Sequence, residues 1–135
     1  MAYAGLFALK SKIYGHNDLI ANCGFYAVAL LVGGEYEFYH TTIANYWGNY
    51  STKARSTSSL VISNVLVIEG SKGEKTSYNG DLEKANFRNS IIYGNNLQEI
   101  ELGNNNENIF NYLFENCIMQ VADTFNTSNA EHYKT

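Results

Sequence analysis

The sequence predicts an all-β protein built from a repeated unit, and three observations carry that prediction. Charged residues make up only 16% of the 135, whereas tyrosine (11) and phenylalanine (7) are abundant and proline is absent. Such a composition favours strands over solvated amphipathic helices. Apolar and polar residues alternate in several short segments, the period-two signature of a strand with one buried face. Those segments recur at a near-constant interval, which makes the repeat the first thing to resolve.

The units run Ile13 to Ile20, Tyr36 to Ile43, Leu60 to Val67, Ala85 to Ile92 and Tyr112 to Met119. Their polar anchors are Asn17, His40, Asn64, Asn89 and Asn116, at intervals of 23, 24, 25 and 27 residues. Two positions before the anchor stand Gly15, Phe38, Ile62, Phe87 and Phe114, and four before stand Ile13, Tyr36, Leu60, Ala85 and Tyr112. The residues between them are mixed: His16, Tyr39, Ser63, Arg88 and Glu115. A second short apolar pair follows each anchor, from Leu19-Ile20 to Ile118-Met119. A polar residue between two apolar strands marks a bend, and asparagine suits one because its short amide tolerates left-handed backbone. Tyr3-Ala4 and Leu6 to Leu9 recur 23 residues later as Tyr26-Ala27 and Ala29 to Val32.

Helical repeats of this length would show a 3.6-residue period, and leucine-rich repeats a Leu-x-x-Leu-x-Leu frame. The pattern instead predicts a right-handed parallel β-helix, a solenoid of about five coils of 23–27 residues. Its coils would stack at about 4.8 Å and turn in the hand that parallel crossovers favour. The coils occupy residues 1–122, and 123–135 form a polar C-terminal tail. The anchors Asn17, His40, Asn64, Asn89 and Asn116 are expected to stack as an asparagine ladder, with His40 interrupting it while still donating and accepting.

Four stretches carry a family resemblance: Asn17-Asp-Leu-Ile-Ala-Asn-Cys-Gly-Phe-Tyr-Ala-Val-Ala-Leu-Leu, His40-Thr-Thr-Ile-Ala-Asn-Tyr-Trp47, Phe87-Arg-Asn-Ser-Ile-Ile-Tyr-Gly94 and Phe110-Asn-Tyr-Leu-Phe-Glu-Asn-Cys117. The chain resembles right-handed parallel β-helix repeat proteins of the pectate-lyase-like superfamily, nearest to uncharacterised secreted or lipoprotein members from Bacteroidetes. The resemblance covers roughly residues 3–120. It is specific for fold and weak for function, because the superfamily holds lyases, hydrolases and adhesins. It implies a secreted, periplasmic or cell-surface parent protein. Family members carry an export signal and capping elements, and with neither in view this chain is expected to be a fragment of a longer protein.

A formal net charge of −4 argues against a nucleic-acid partner. The apolar opening Met1 to Leu9 lacks a basic flank and runs into Lys10 and Lys12, so it reads neither as a signal peptide nor as a membrane span. The longest apolar run, Phe25 to Val32, is less than half a membrane helix. Cys23 and Cys117 fall on coils roughly 19 Å apart at the strand spacing, beyond the ~7 Å a disulfide spans, and are expected as buried thiols. His16, His40 and His132 are too scattered for a metal cluster, and no cofactor is expected. Asn49-Tyr-Ser51 and Asn126-Thr-Ser128 match the glycosylation pattern in a chain rich enough in asparagine to produce it by chance.

Three stretches break the rhythm and read as loops: Trp47 to Ser59 with Lys53 and Arg55, Glu69 to Lys84 with an Asn79-Gly80 turn, and Gly103 to Asn108. A β-helix lyase needs a base and calcium-binding acids. Arg88, Lys53 and Arg55 offer the first by type, and Asp18, Glu37 and Glu115 the second. Their columns do not converge, so no catalytic residue is assigned, and Arg88 with Glu115 reads as an exposed ion pair. Glycosidase chemistry needs clustered acids that the sequence lacks. Exposed aromatic rings suit sugar faces, and Tyr46, Trp47 and Tyr50, with Arg88, are the candidate ligand-binding residues.

The expected function is a non-catalytic scaffold or binding segment of a secreted protein, contacting polysaccharide. One alternative is a piece of a polysaccharide lyase or glycoside hydrolase with its catalytic coils elsewhere. Another is a self-associating structural or adhesive module, joined end to end through uncapped coil edges.

Overall fold

A computed structural model describes residues 2–48 and 54–135. The protein is all-β. Among the described residues it forms β1 (Ala4–His16), β2 (Leu19–Ala21), β3 (Tyr26–Tyr39), β4 (Thr42–Asn45), β5 (Leu60–Ser63), β6 (Val65–Glu69), β7 (Lys75–Asn79), β8 (Leu82–Arg88), β9 (Ile91–Gly94), β10 (Ile100–Gly103), β11 (Leu113–Glu115), β12 (Ile118–Met119) and β13 (Tyr133–Lys134), and no helix.

The strands make three sheets. The largest is parallel, ordered β10-β5-β3-β8-β11-β13, with β1 also pairing β3. A second parallel sheet runs β12-β9-β4-β2. The third is an antiparallel pair, β6 with β7. The core contains inward residues of both parallel sheets, Phe38 and Phe87 from the large one and Ile43 and Ile92 from the second. Its spine is a column of rings. Phe38 stacks on Phe87 at 5.0 Å, Phe87 on Phe114 at 5.5 Å, and Phe114 on Tyr133 at 5.9 Å.

This architecture corrects the expectation of a right-handed parallel β-helix of the pectate-lyase-like kind with five equal coils. Parallel, antiparallel and separate sheets are mixed, and the strands do not neighbour one another in chain order. The departure begins within β3. Its first half pairs with β5 through Val28↔Leu60, and its second half with β8 through Phe38↔Phe87. The third unit of the sequence repeat therefore leaves the column. Backbone N–H donors of Asn17, His40, Asn89 and Asn116 reach the carbonyls of Tyr39, Arg88, Glu115 and Lys134, at 2.8–3.0 Å, whereas Asn64 N–H reaches Gly103. Asn17, His40, Asn89 and Asn116 also share left-handed φ values of 59°, 54°, 51° and 52°. Asn64 does not.

The branch has a built corner. Lys10 and Val32 both take left-handed φ (44° and 63°), and the register of β1 on β3 shifts between Leu9 and Ser11. Gly33 follows at φ 72°, where an added Cβ would lie 2.3 Å from the Asp81 carbonyl. Only glycine fits that approach.

The stretch 69–84, expected as a loop, is largely a hairpin. Val65 opposes Asn79 and Glu69 opposes Lys75. Gly70 N–H donates to Glu74 at 2.7 Å, and Gly73 turns at φ 80°. The segment 123–135 also returns to the fold, with Tyr133 opposite Phe114 and Phe125 packed on the core.

Candidate functional site

The most developed concavity of the outer surface lies where the hairpin meets the large sheet. Ala29, Leu31, Val32 and Val61 form a second buried cluster there, with Tyr26 and Leu66 packed against it. Beside this cluster runs a groove of about 570 Å³, lined among others by Tyr3, Phe7, Phe25, Tyr26, Leu66 and Glu101. Tyr3 and Phe25 stack at 4.7 Å and 13°, and Phe25 meets Tyr26 edge to face at 4.7 Å. Tyr3 and Phe7 remain 61% and 52% exposed, an unusual allotment for rings unless something covers them. Burial pushes the Tyr26 phenol up, and the nearby Glu101 carboxylate adds to the shift. The groove thus offers flat ring faces, two phenol hydroxyls and one carboxylate, with no lysine or arginine in its lining.

A second polar constellation is wholly internal. Arg55 Nη2 meets Glu99 Oε1 at 2.7 Å with both side chains 0% exposed. The other Glu99 oxygen accepts from Arg55 Nη1 at 3.0 Å, Ser59 N at 2.8 Å and Ser59 Oγ at 2.6 Å. Asn96 N donates to Oε1 at 2.8 Å, and Arg55 also reaches the carbonyls of Asn45 and Thr57. A Cβ at Gly94 would sit 2.1 Å from Glu99 Oε1, so the carboxylate occupies the space glycine leaves. Charges so saturated with partners stabilise a loop and have no access to a ligand. Arg55, a candidate clamp by residue type, is an internal anchor.

The sequence-predicted ligand residues are not gathered in one place. Tyr46 and Trp47 follow β4 of the second sheet. Tyr46 is 43% exposed with its N–H on Asn22 Oδ1 at 3.1 Å, while the Trp47 carbonyl accepts from Asn95 at 3.2 Å. Tyr50, with Lys53, lies outside the described residues. Arg88 ends β8 in the large sheet. Its Nε donates to Glu115 at 2.6 Å, its Nη1 donates to the Tyr39 hydroxyl at 2.7 Å, and its carbon lies 5.5 Å from the Tyr39 ring centre. The hydrogen bond to Glu115 holds the guanidinium pKa above its ordinary value.

The acids proposed by type each have local partners: Asp18 accepts from Thr41 at 3.3 Å, and Glu37 meets Lys84 at 3.2 Å. Asn64 binds the 104–109 bend, donating to Asn104, Asn108 and Ile109 and accepting from Asn105 N at 2.9 Å. The histidines are less scattered than the repeat implies, since the His16 and His40 rings meet edge to face at 5.6 Å. Among the described residues no group of three or more His, Cys, Asp or Glu stands ready to hold a metal ion. Both cysteines are free thiols, and burial raises the pKa of each.

Sequence reasoning missed the groove because its rings come from two separate stretches, Tyr3 to Phe7 and Phe25-Tyr26, and its far wall from the hairpin. The 23-residue recurrence of Tyr-Ala was the available signal: it sets Ala4 beside Tyr26. Compared with family models, curated proteins and solved structures, the chain matches none.

Proposed function

We propose that this chain is a non-catalytic binding scaffold whose groove beside the hairpin takes a neutral polysaccharide. The observation that supports the reading is the set of rings at the groove, Tyr3, Phe7, Phe25 and Tyr26, with Tyr3 and Phe7 turned largely to solvent. The C–H faces of a sugar ring pack on aromatic faces, and its hydroxyls find the phenols and the Glu101 carboxylate. A neutral chain is favoured over a uronic one because the lining carries an acid and no cation to meet a carboxylate. Such a ligand is met outside the cytoplasm or at the cell surface, which is where this reading places the protein.

Affinity electrophoresis through gels containing xyloglucan, mixed-linkage glucan or polygalacturonate tests it. Retardation is expected from at least one neutral polymer and not from polygalacturonate. Phe7→Ala and Tyr3→Ala should each weaken it about tenfold, equivalent to ~1.4 kcal/mol. The reading fails if no neutral polymer retards the protein. It also fails if Trp47→Ala or Arg88→Ala abolishes retardation while the groove variants leave it intact.

A further inference from the structure

The two ends of the strand stack differ in what they leave open. At one end β1 pairs only with β3, and β2 only with β4. A second side of β1, along Ala4–His16, therefore carries backbone donors and acceptors with no strand neighbour among the described residues. Behind that edge Leu6, Ile13 and Ile20 pack on the core while still partly exposed. A long parallel-sheet edge with half-covered core residues is a template for another strand. At the opposite end the outermost strands are the short β10, β12 and β13, with Val121 and Phe125 packed over the core.

Charge separates the ends in the same direction. Residues 1–21 hold Lys10 and Lys12 against Asp18 alone. Residues 97–135 hold Glu99, Glu101, Glu107, Glu115, Asp123 and Glu131 against Lys134 alone. Glu99 is internal, but Glu101, Glu107, Asp123 and Glu131 are exposed. The intervening residues carry equal numbers of each sign, so the whole net charge arises from this polarity. We propose that the β1–β2 edge docks the acidic β10–β13 end of a second copy, so that copies join head to tail.

A two-fold pairing of β1 with another β1 fits less well. Lys10 is the middle residue of Ala4–His16, and an antiparallel pairing about that centre sets the two Lys10 residues against each other. A head-to-tail contact instead brings opposite charges together. It is heterologous and leaves a free edge at each end of the assembly, so it propagates rather than stopping at a dimer.

Light scattering on the full chain between ~5 and ~500 μM at low salt is expected to show average mass rising with concentration, and raising salt to ~0.5 M should return it towards monomer. The Lys10→Glu/Lys12→Glu variant should remain monomeric, as should Asp123→Lys/Glu131→Lys. Mixed together, the two variants should form a one-to-one complex, because each restores the charge the other reversed. A folding defect would not give that rescue. Glucan retardation should persist in both, since neither pair lines the groove, which separates this proposal from the polysaccharide reading. A monomer throughout the range would overturn head-to-tail docking. So would association that strengthens with salt, or that Phe7→Ala abolishes while the lysine variant leaves it unchanged.

Discussion

From Tyr26 to Val32, β3 carries the unbroken run Ala-Val-Ala-Leu-Leu-Val, with Ala27 through Val32 all buried, whereas from Gly34 to Tyr39 it alternates buried Tyr36 and Phe38 with partly exposed Glu35, Glu37 and Tyr39. A strand covered on both faces reads as continuous apolar sequence, and one covered on a single face reads as alternation. The first half has the core on one side, and on the other the cluster of Ala29, Leu31 and Val61 on which Leu66 of the hairpin packs. The second half meets solvent on its outer side, where Lys84 pairs with Glu37 and Lys12 with Glu35. The two halves are therefore held differently. One depends on cover brought by distant chain, the other on stacked rings.

The largest break in that contrast should come from Glu99→Ala. The carboxylate holds Arg55, Ser59 and Asn96 around the start of β5, beside the covered half of β3. Removing it leaves Arg55 buried without its counter-charge, which costs about 3–5 kcal/mol. Urea unfolding followed by circular dichroism measures this. A loss under ~1 kcal/mol would mean that the loop is held by its packing and not by the pair. Arg55→Met with Glu99→Leu together should recover most of the loss, because no charge is then stranded.

This pair marks the limit of what the sequence discloses. Alternation at Tyr36 to Tyr39 and at Ala85 to Arg88, with its bends at His40 and Asn89, is a local pattern and is legible. The two positions are neighbours in the large sheet, Tyr39 against Arg88. Which repeat neighbours which is not local. Intervals of 24 and 25 residues carry the same period whether the unit at Asn64 lies between the others or steps aside, and it steps aside. Arg55 and Glu99 stand 44 residues apart, so no spacing announces them. The hairpin was hidden because Lys75–Asn79 is exposed at every position and shows no apolar alternation. The apolar run at Phe25 to Val32 was visible, and its meaning was burial on two faces.

A milder break is Gly73→Ala in the hairpin turn. Gly73 has φ 80° and nothing within 4 Å of an added Cβ, so the cost is purely conformational, about 1 kcal/mol. If the hairpin supplies the outer cover of β3, hydrogen exchange at Leu31 and Val61 should quicken along with that at Leu66 and Tyr78. Faster exchange confined to the hairpin would show that the first half of β3 stays buried without it.

The smallest effect is expected on the open half, from Arg88→Ala. Its guanidinium makes a 2.6 Å contact with Glu115 and a 2.7 Å hydrogen bond to Tyr39, geometry that looks strong. Yet the two side chains are 30% and 34% exposed, so water and salt already satisfy much of what the pair offers. The register of these strands is set on the other face, where Phe38, Phe87 and Phe114 stack inside the core. Outer-face contacts then follow from the register and do not create it. The loss should be about 0.5 kcal/mol and should shrink further in ~0.5 M salt, as an exposed pair requires. A loss above ~2 kcal/mol that salt leaves unchanged would reverse the assignment, making the Tyr39–Arg88–Glu115 row a determinant of strand order equal to the ring column.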